Sequence, residues 1–121
     1  METENVKKKS RLIVKKDSEC IVLSFIDVAL LYVDNRTVYV IDKFSKKYFF
    51  HKNLSEVEEL LDESVFFRAN RQTIININFI KGFTALECNK IKVALTLTCN
   101  EPAIIISQQT VPLFKKWLCE S

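Results

Sequence analysis

Short apolar runs, rich in β-branched and aromatic residues, recur along the chain about every ten residues and constrain its fold more than any other feature. Runs of this composition and spacing are typical of many short β-strands. In Ile91 to Leu97, four apolar residues alternate with polar or small ones, which predicts a strand with one buried face. The sequence therefore indicates a mainly β protein. The other predicted strands contain Leu12 to Val14, Ile21 to Leu23, Val38 to Ile41, Tyr48 to Phe50, Ile74 to Ile77 and Ala103 to Ile106.

Turns are predicted where Asn and Asp accumulate, because the chain of 121 residues contains a single glycine. Asn and Asp tolerate left-handed backbone and can therefore replace glycine in tight turns. One helical turn is also predicted near Ser24 to Val28. The predicted tight turns are Asp17-Ser18, Asp34-Asn35, Cys88-Asn89-Lys90 and Cys99-Asn100.

A capped helix is predicted at about residues 53–62, in the segment "NLSEVEELLDES". Asn53 and Glu56 have the spacing of a capping box, in which each side chain accepts a hydrogen bond from the other residue's backbone. The apolar residues after the cap form one stripe at helical spacing. They are Leu54, Val57, Leu60 and Leu61.

A short C-terminal helix is predicted from about Val111 to Leu118. Ser107 or Thr110 can cap it, and Pro112 is tolerated in the first turn of a helix. Its apolar residues are expected to face the protein interior. They are Leu113, Phe114, Trp117 and Leu118.

The length favours one domain, which we place at residues 10–121 behind a flexible tail at residues 1–9. No stretch approaches the roughly 18 apolar residues of a membrane helix, and no signal peptide is evident. We therefore expect no membrane association. The four cysteines are scattered, which indicates reduced thiols and a cytoplasmic protein.

Catalytic and metal-binding residues are sparse. The one histidine, His51, precedes the capped helix, where a surface position is expected. The sequence has no glycine-rich phosphate loop and no Cys or His pair at metal-ligand spacing. We therefore predict a protein that is not an enzyme and has no cofactor and no bound metal.

The formal net charge of +3 is unevenly distributed. Residues 7–16 carry six Lys or Arg and no acid, whereas residues 56–63 carry five Asp or Glu and no base. A polyanion would be steered to the basic side, although a solvated charge run explains this feature equally well.

The segment "FFRANRQTIININFI", residues 66–80, interrupts the most hydrophobic part of the chain with Arg68, Asn70, Arg71 and Gln72. An arginine offers a rigid set of donors that fits phosphate or the acceptor edge of guanine, and Asn or Gln matches adenine. The segment therefore has the chemistry needed to read bases. The structural alternative is that Arg68 pairs with a carboxylate of the capped helix and that Asn70 satisfies its own turn.

The order of these motifs resembles that of the LytTR DNA-binding domain found in bacterial response regulators of the LytR/AlgR/AgrA type. The likeness spans about Ser10 to Leu118. It rests on Phe67-Arg68-x-x-Arg71-x-x-Ile74-Ile75-Asn76 between "NLSEVEELL" and Ile80-Lys81, and on "SFIDVALLYVDNRTVYV". The resemblance implies an elongated antiparallel β-sheet sandwich of about ten short strands.

The resemblance also implies a function, which is sequence-specific binding of double-stranded DNA by a transcription regulator's output module. Loops, and not a recognition helix, would enter successive major grooves. Asn70 and Gln72 replace the His and Ser that are common in the family's central loop, and Gln108 and Gln109 stand where arginines are common, which shifts the expected preference toward adenine. Asn76 is expected to be a buried structural residue. The implied DNA-binding residues are Asn35, Arg36 and Thr37, then Arg68, Asn70, Arg71 and Gln72, then Ser107, Gln108 and Gln109.

Two other functions stay open. The chain could be a protein-interaction β module that uses a sheet edge or the acidic helix and does not bind nucleic acid. RNA binding ranks lower, because it favours exposed rings on a sheet face and only Phe44 and Phe83 are candidates. The sequence also leaves open an upstream receiver or sensor domain and a dimer on direct-repeat sites.

Overall fold

The structure, a computed structural model, describes residues 11–97 and 103–120. Ten strands, two α-helices and two single 3-10 turns are present within these residues, which confirms the predicted mainly β fold. The tail at residues 1–9 and the Cys99-Asn100 turn lie outside the described residues. The strands are β1 Arg11–Lys16, β2 Glu19–Ser24, β3 Val28–Asp34, β4 Thr37–Asp42, β5 Lys47–Phe50, β6 Phe66–Asn70, β7 Thr73–Asn76, β8 Ile80–Ala85, β9 Ile91–Leu95 and β10 Ile104–Ile106.

The strands form two antiparallel sheets, as the predicted sandwich requires. A seven-stranded sheet has the order β2-β1-β5-β4-β3-β7-β6, and a three-stranded sheet has the order β10-β9-β8. The helices are α1, Leu54–Glu58, and α2, Val111–Glu120. The large sheet is covered on one face by α1 and on part of the other face by the small sheet and α2, so it has a core on each side.

The helix-side core packs the large sheet against α1, and the sheet-side core packs it against the small sheet and α2. A buried Phe114 from α2 lies at the centre of the sheet-side core. The helix-side core consists of Leu12, Val14, Leu23, Phe25, Val28, Leu31, Val38, Val40, Tyr48, Phe50, Leu54, Val57, Leu61, Phe66 and Ile74. The sheet-side core consists of Leu30, Tyr32, Ile41, Ala69, Ile75, Ile91, Val93, Ile104, Ile106 and Phe114.

The pairing of β3 with β4 shifts by one residue near the start of β3. Val28 opposes Asp42 and Leu30 opposes Ile41, so Ala29 is an extra residue in the ladder. A β-bulge of this kind changes which face the following side chains occupy. Val28 therefore lies in the helix-side core and Leu30 in the sheet-side core, and β3 is buried on both faces.

The predicted turns at Asp17, Asn35, Cys88 and Asn89 have left-handed backbone, with φ between 52° and 61°. Arg36, at φ 66°, and Ser45, at φ 64°, are left-handed as well and were not foreseen. The single turn near Ser24 is confirmed as a 3-10 turn at Phe25–Asp27.

Buried Asp42 organises the turn between β4 and β5. Its Oδ1 accepts hydrogen bonds from the backbone N–H groups of Phe44 and Lys46 at 2.8 and 2.9 Å, and its Oδ2 accepts one from the Tyr48 hydroxyl at 2.8 Å. Burial, together with the hydrogen bond and the charge of Asp42, raises the pKa of Tyr48 to about 12.

Helix α1 starts as predicted and ends earlier than predicted. The capping box is present, because the Asn53 side chain accepts from the Glu56 N–H and the Glu56 carboxylate accepts from the Asn53 N–H. The prediction of residues 53–62 is wrong at its C-terminal end, since the α-helix ends at Glu58. Leu60 and Leu61 instead bond back three residues, which tightens the chain and turns Leu61 into the core.

Helix α2 confirms the second predicted helix and corrects its inward face. Val111, Phe114, Trp117 and Leu118 belong to the sheet-side core or pack against it. Leu113, which was expected to face inward, is 62% exposed. The predicted strand at Ile91 to Leu97 is also shorter, because β9 ends at Leu95. Neither α-helix of the described residues has the length and apolar character of a membrane-spanning helix.

Asn76 is fully buried and hydrogen-bonded, as predicted. Its Nδ2 donates to the Val28 carbonyl oxygen at 2.8 Å, and its Oδ1 accepts from the Asn78 N–H at 2.8 Å. It thereby joins β7 to the start of β3 and initiates the following 3-10 turn at Ile77–Phe79.

Candidate nucleic-acid interface

The turn between β3 and β4 and the turn between β6 and β7 lie side by side at one end of the large sheet. Strand β3 is paired with β4 on one side and with β7 on the other, and Tyr32 opposes Thr73. The end of β3 therefore adjoins the beginning of β7. A backbone hydrogen bond of 2.9 Å from the Val33 N–H to the Gln72 carbonyl oxygen continues the pairing into the second turn. Neighbouring strands are about 4.8 Å apart, so the two turns form adjacent tips.

The first loop is a tight hairpin turn whose two central residues, Asn35 and Arg36, both have positive φ. Two left-handed residues in succession are the geometry of a type I′ turn, which matches the twist of the flanking strands. Both side chains are exposed at the tip, and Thr37 starts β4 in a half-buried position opposite Asp34. The turn thus places a guanidinium at the tip of the hairpin.

The second loop follows an irregular end of β6. Arg68 opposes Ile74 and Asn70 opposes Thr73, so Ala69 is an extra residue. Arg71 and Gln72 form the exposed turn beyond it. The structural alternative that the sequence left open is observed for Arg68, whose guanidinium lies 2.7 Å from the Glu58 carboxylate of α1.

Asn70 likewise satisfies its own turn, because its Oδ1 accepts from the Gln72 N–H at 2.9 Å. Its Nδ2 donates to the Ile105 carbonyl oxygen of β10 at 2.9 Å. The second loop is thereby joined to the small sheet, one residue before the end of β10 at Ile106.

The third loop, residues 107–110, connects β10 to α2. The backbone N–H groups of Thr110 and Val111 both donate to the Ser107 carbonyl oxygen at 3.0 Å, and the Ser107 hydroxyl donates to Thr110 Oγ1 at 3.2 Å. Gln108 and Gln109 are exposed on this turn. The loop therefore presents two amides immediately before the N-terminus of a ten-residue helix.

Aromatic packing fixes α2, and with it the third loop, against β6. Phe67 of β6 stacks on Trp117 with ring centroids 5.0 Å apart and meets Phe114 edge-on at 5.5 Å. Phe83 of β8 packs edge-on against Phe114 at 5.6 Å, and the Trp117 indole N–H donates to the Glu63 carbonyl oxygen at 2.9 Å. The third loop is therefore held by the same strand that leads into the second.

The arginines of the first two loops differ in whether a carboxylate neutralises their charge. Within residues 11–97 and 103–120, neither Arg36 nor Arg71 forms an ion pair, whereas Arg68 pairs with Glu58. Asp34, beside the first turn, is the exposed acid of that loop. The structure thus brings all three predicted loops to one region and leaves the Arg36 and Arg71 guanidiniums exposed there.

Two lysines at the small sheet lie next to this region and were not among the DNA-binding residues predicted from the sequence. Lys92 of β9 opposes Ile105, whose carbonyl oxygen bonds to Asn70, and Lys90 lines a shallow cleft with Ile105 and the turn before β9. Both lysines are exposed. The alternation in Ile91 to Leu97 placed Lys92 on the wet face, but only the pairing of β9 with β10 shows which loop it adjoins.

The structure also shows the surroundings of the candidate metal ligands and the exposure of the aromatic rings that were considered in the sequence. No group of three or more His, Cys, Asp or Glu side chains that could hold a metal occurs among them. His51 is exposed and lies two residues before Asn53, the N-cap of α1. Phe44 and Phe83 are exposed by 69% and 42%, and Phe49, which was not foreseen, is exposed by 48%.

The two-sheet architecture is shared with a solved structure described as the LytTr DNA-binding domain of a methyl-accepting/DNA response regulator from Bacillus cereus. The TM-score is 0.78 at 25% sequence identity, over 91% of this chain and 97% of that chain. The architecture is thus that of a LytTr DNA-binding domain of a response regulator.

The family model of the LytTr DNA-binding domain matches residues 18–119, and the chain belongs to this family. The resemblance seen in the sequence is therefore confirmed. No curated protein matches the chain.

Proposed function

We propose that this domain recognises a specific sequence in double-stranded DNA and is the output module of a bacterial transcription regulator. Its three loops would enter successive major grooves. The observation that carries the proposal is the meeting of the loops at one region, with exposed guanidiniums at Arg36 and Arg71 and exposed amides at Gln72, Gln108 and Gln109. The relative's description as a DNA-binding domain of a response regulator supports it.

The side chains at the tips have the chemistry of base reading. An arginine that reaches the major groove can donate two hydrogen bonds to guanine O6 and N7, and a glutamine can pair with adenine N6 and N7. Arg71 and Gln72 offer both groups on one turn, and Gln108 and Gln109 offer two amides on the third loop. We therefore expect guanine and adenine at neighbouring positions of the target.

Positively charged groups around the loop tips are suited to contact the phosphate backbone of DNA. Lys90 and Lys92 lie beside the third loop, and α2 begins directly after it. The N-terminus of a helix carries a partial positive charge and attracts anions. Such contacts supply affinity without base preference, and each one that neutralises a phosphate steepens the dependence of binding on salt.

The test is selection of binding sites from random duplexes with the purified domain, followed by Arg71→Ala. We expect an enriched sequence, and we expect the variant to bind it more weakly by about 1–3 kcal/mol and to lose preference at one base position. Lys46→Ala is the matched control, because it removes one exposed positive charge from the turn between β4 and β5, at the opposite end of β4. No enriched sequence, or equal losses in both variants, would refute the proposal.

Two further measurements test DNA binding against protein binding, and the occupation of successive major grooves. Binding to random duplex should weaken steeply as salt rises, because a polyanion releases counterions, whereas a module that binds only proteins would show no such binding. Cleavage protection on the selected site should appear in patches about 10 base pairs apart if successive major grooves are occupied. One continuous patch shorter than a helical turn would contradict the successive-groove arrangement and leave DNA recognition itself intact.

A further inference from the structure

The irregular end of β6 directs two neighbouring polar side chains to opposite faces of the large sheet. In a regular strand, in which Ala69 had its own partner, Arg68 and Asn70 would share a face because side chains alternate along a strand. With it, Arg68 opposes Ile74, a residue of the helix-side core, and Asn70 opposes Thr73 on the other face. The second loop is consequently contacted by a polar side chain on each face of the sheet.

Arg68 holds the turn from the side of α1. Its Nε donates to the Asn70 carbonyl oxygen at 2.9 Å and its Nη2 donates to the Arg71 carbonyl oxygen at 2.7 Å. Its Nη1 donates to Glu58 Oε1 at 2.7 Å, and 26% of the Arg68 side chain is exposed. One guanidinium thus binds two successive carbonyls of the turn while a carboxylate of α1 neutralises its charge.

Asn70 holds the turn from the side of the small sheet. Its oxygen accepts from the Gln72 N–H, and its nitrogen donates to the Ile105 carbonyl oxygen. Reading adenine would need both of these amide atoms, and both already have partners in the protein. The bond to Ile105 also fixes the second loop relative to Ser107, two residues further along the chain.

We propose that Arg68 and Asn70 are positioning residues that hold the second loop in its reading conformation before DNA arrives, and that Asn70 sets the spacing between the second and third loops. Glu58 holds Arg68 in this arrangement, although its negative charge lies next to the surface proposed to bind DNA. The role in reading rests on the proposed DNA binding, whereas the holding of the loops is a property of the free protein.

The first test therefore needs no DNA. Backbone ¹⁵N relaxation and amide exchange of the second and third loops are compared between the wild type, Asn70→Ser and Asn70→Ala, with Arg71→Ala as the control. A serine hydroxyl can still accept from the N–H two residues on but is too short to reach Ile105. We expect Asn70→Ser to loosen residues 107–110 only, Asn70→Ala to loosen both loops and speed exchange of the Gln72 N–H by about fivefold, and Arg71→Ala to loosen neither.

An unchanged third loop in Asn70→Ser would overturn the coupling, and an unchanged second loop in Asn70→Ala would overturn the holding role. These results stand whether or not the domain selects a DNA sequence, so they are distinguishable from a failure of the proposed function.

The second test uses the selected DNA site. Asn70→Ser should blur base preference at the positions read by the third loop and keep those of the second, whereas Arg71→Ala should affect the second loop alone. A loss confined to one base position in Asn70→Ser would make Asn70 a base reader and overturn the proposal.

Glu58→Gln distinguishes positioning by Arg68 from simple electrostatics. Removal of an acid near a polyanion surface should by itself raise affinity for every duplex. If the carboxylate instead holds Arg68 in place, affinity for the selected site falls by about two- to fivefold while affinity for random duplex does not fall. An equal rise for both duplexes would show that Glu58 only repels DNA.

Discussion

Arg36 stands where backbone geometry favours glycine, so its replacement should improve folding and impair binding. At φ 66°, a residue with a Cβ in the left-handed region costs about 1–2 kcal/mol, and Arg36 has no side-chain hydrogen bond among the described residues that offsets this cost. Arg36→Gly relieves it but adds about 0.5–1 kcal/mol of backbone entropy to the unfolded chain. The net expectation is a gain of about 0.5–1 kcal/mol in the free energy of unfolding.

The same substitution removes a guanidinium from the tip of the first loop. If Arg36 contacts a base, affinity for the selected site should fall by about 1–3 kcal/mol, or roughly five- to 150-fold in Kd. If it contacts only phosphate, the slope of log K against log salt should become shallower by about 0.9 for every duplex. Urea unfolding gives the first quantity, and fluorescence anisotropy with labelled duplexes at several salt concentrations gives the second.

Ser45→Gly is the matched control for the backbone. Ser45 has φ 64° in the turn between β4 and β5, at the opposite end of β4 from Arg36. It should stabilise the protein by a similar amount and leave DNA binding unchanged. The reasoning is refuted if Arg36→Gly destabilises the fold, or if both glycine variants bind DNA equally well.

Three further outcomes test the packing. The pKa of Tyr48 in the folded protein is about 12, above its ordinary 10.0. The neutral tyrosine therefore stabilises the fold fully below pH 10, and this stabilisation is lost as pH rises through 12. In urea unfolding at pH 8 and 11.5, the free energy of unfolding should fall more between the two pH values for the wild type than for Tyr48→Phe. Asn76→Ala should cost about 2–3 kcal/mol because it leaves the buried Val28 carbonyl without its donor and removes the bond to the Asn78 N–H, and a loss under 0.5 kcal/mol in denaturant titration would contradict this. Phe114→Ala should cost about 3–5 kcal/mol and Leu113→Ala under about 0.5 kcal/mol, as measured by the same titration, and the reverse order would disprove the inward face of α2.

Much of the fold could be predicted from local sequence because its signals are local. Short apolar runs rich in β-branched and aromatic residues predicted the strands, and the capping box at Asn53 predicted the start of α1. The end of α1 could not be predicted, because Leu60 and Leu61 continue a helical stripe in the sequence while tertiary packing draws the chain into tighter bonds. Leu113 was misplaced for a related reason, since the buried face of α2 follows Phe114 and Trp117 and leaves Leu113 on the other side.

The candidate site was predictable as a set of residue types and not as an arrangement. The polar interruption after Phe67 indicated an outward-facing turn, and Arg71 and Gln72 are exposed there. Nothing in the sequence marks Ala69 as an extra residue in the ladder, because bulges depend on the partner strand. The directions of Arg68 and Asn70, and the link from Asn70 to Ile105, therefore emerge only from the pairing of distant segments.

The exposed tips of the three loops lie outside both hydrophobic cores, and this separation affects how such a domain can diversify. Substitutions at Arg71, Gln72, Gln108 or Gln109 change the surface offered to a duplex without removing a core side chain, so the repertoire of targets can drift at little cost to folding. The first hairpin is less free, because only residues that accept left-handed backbone can succeed one another at positions 35 and 36. Changes of preference among related domains should therefore accumulate first on the second and third loops.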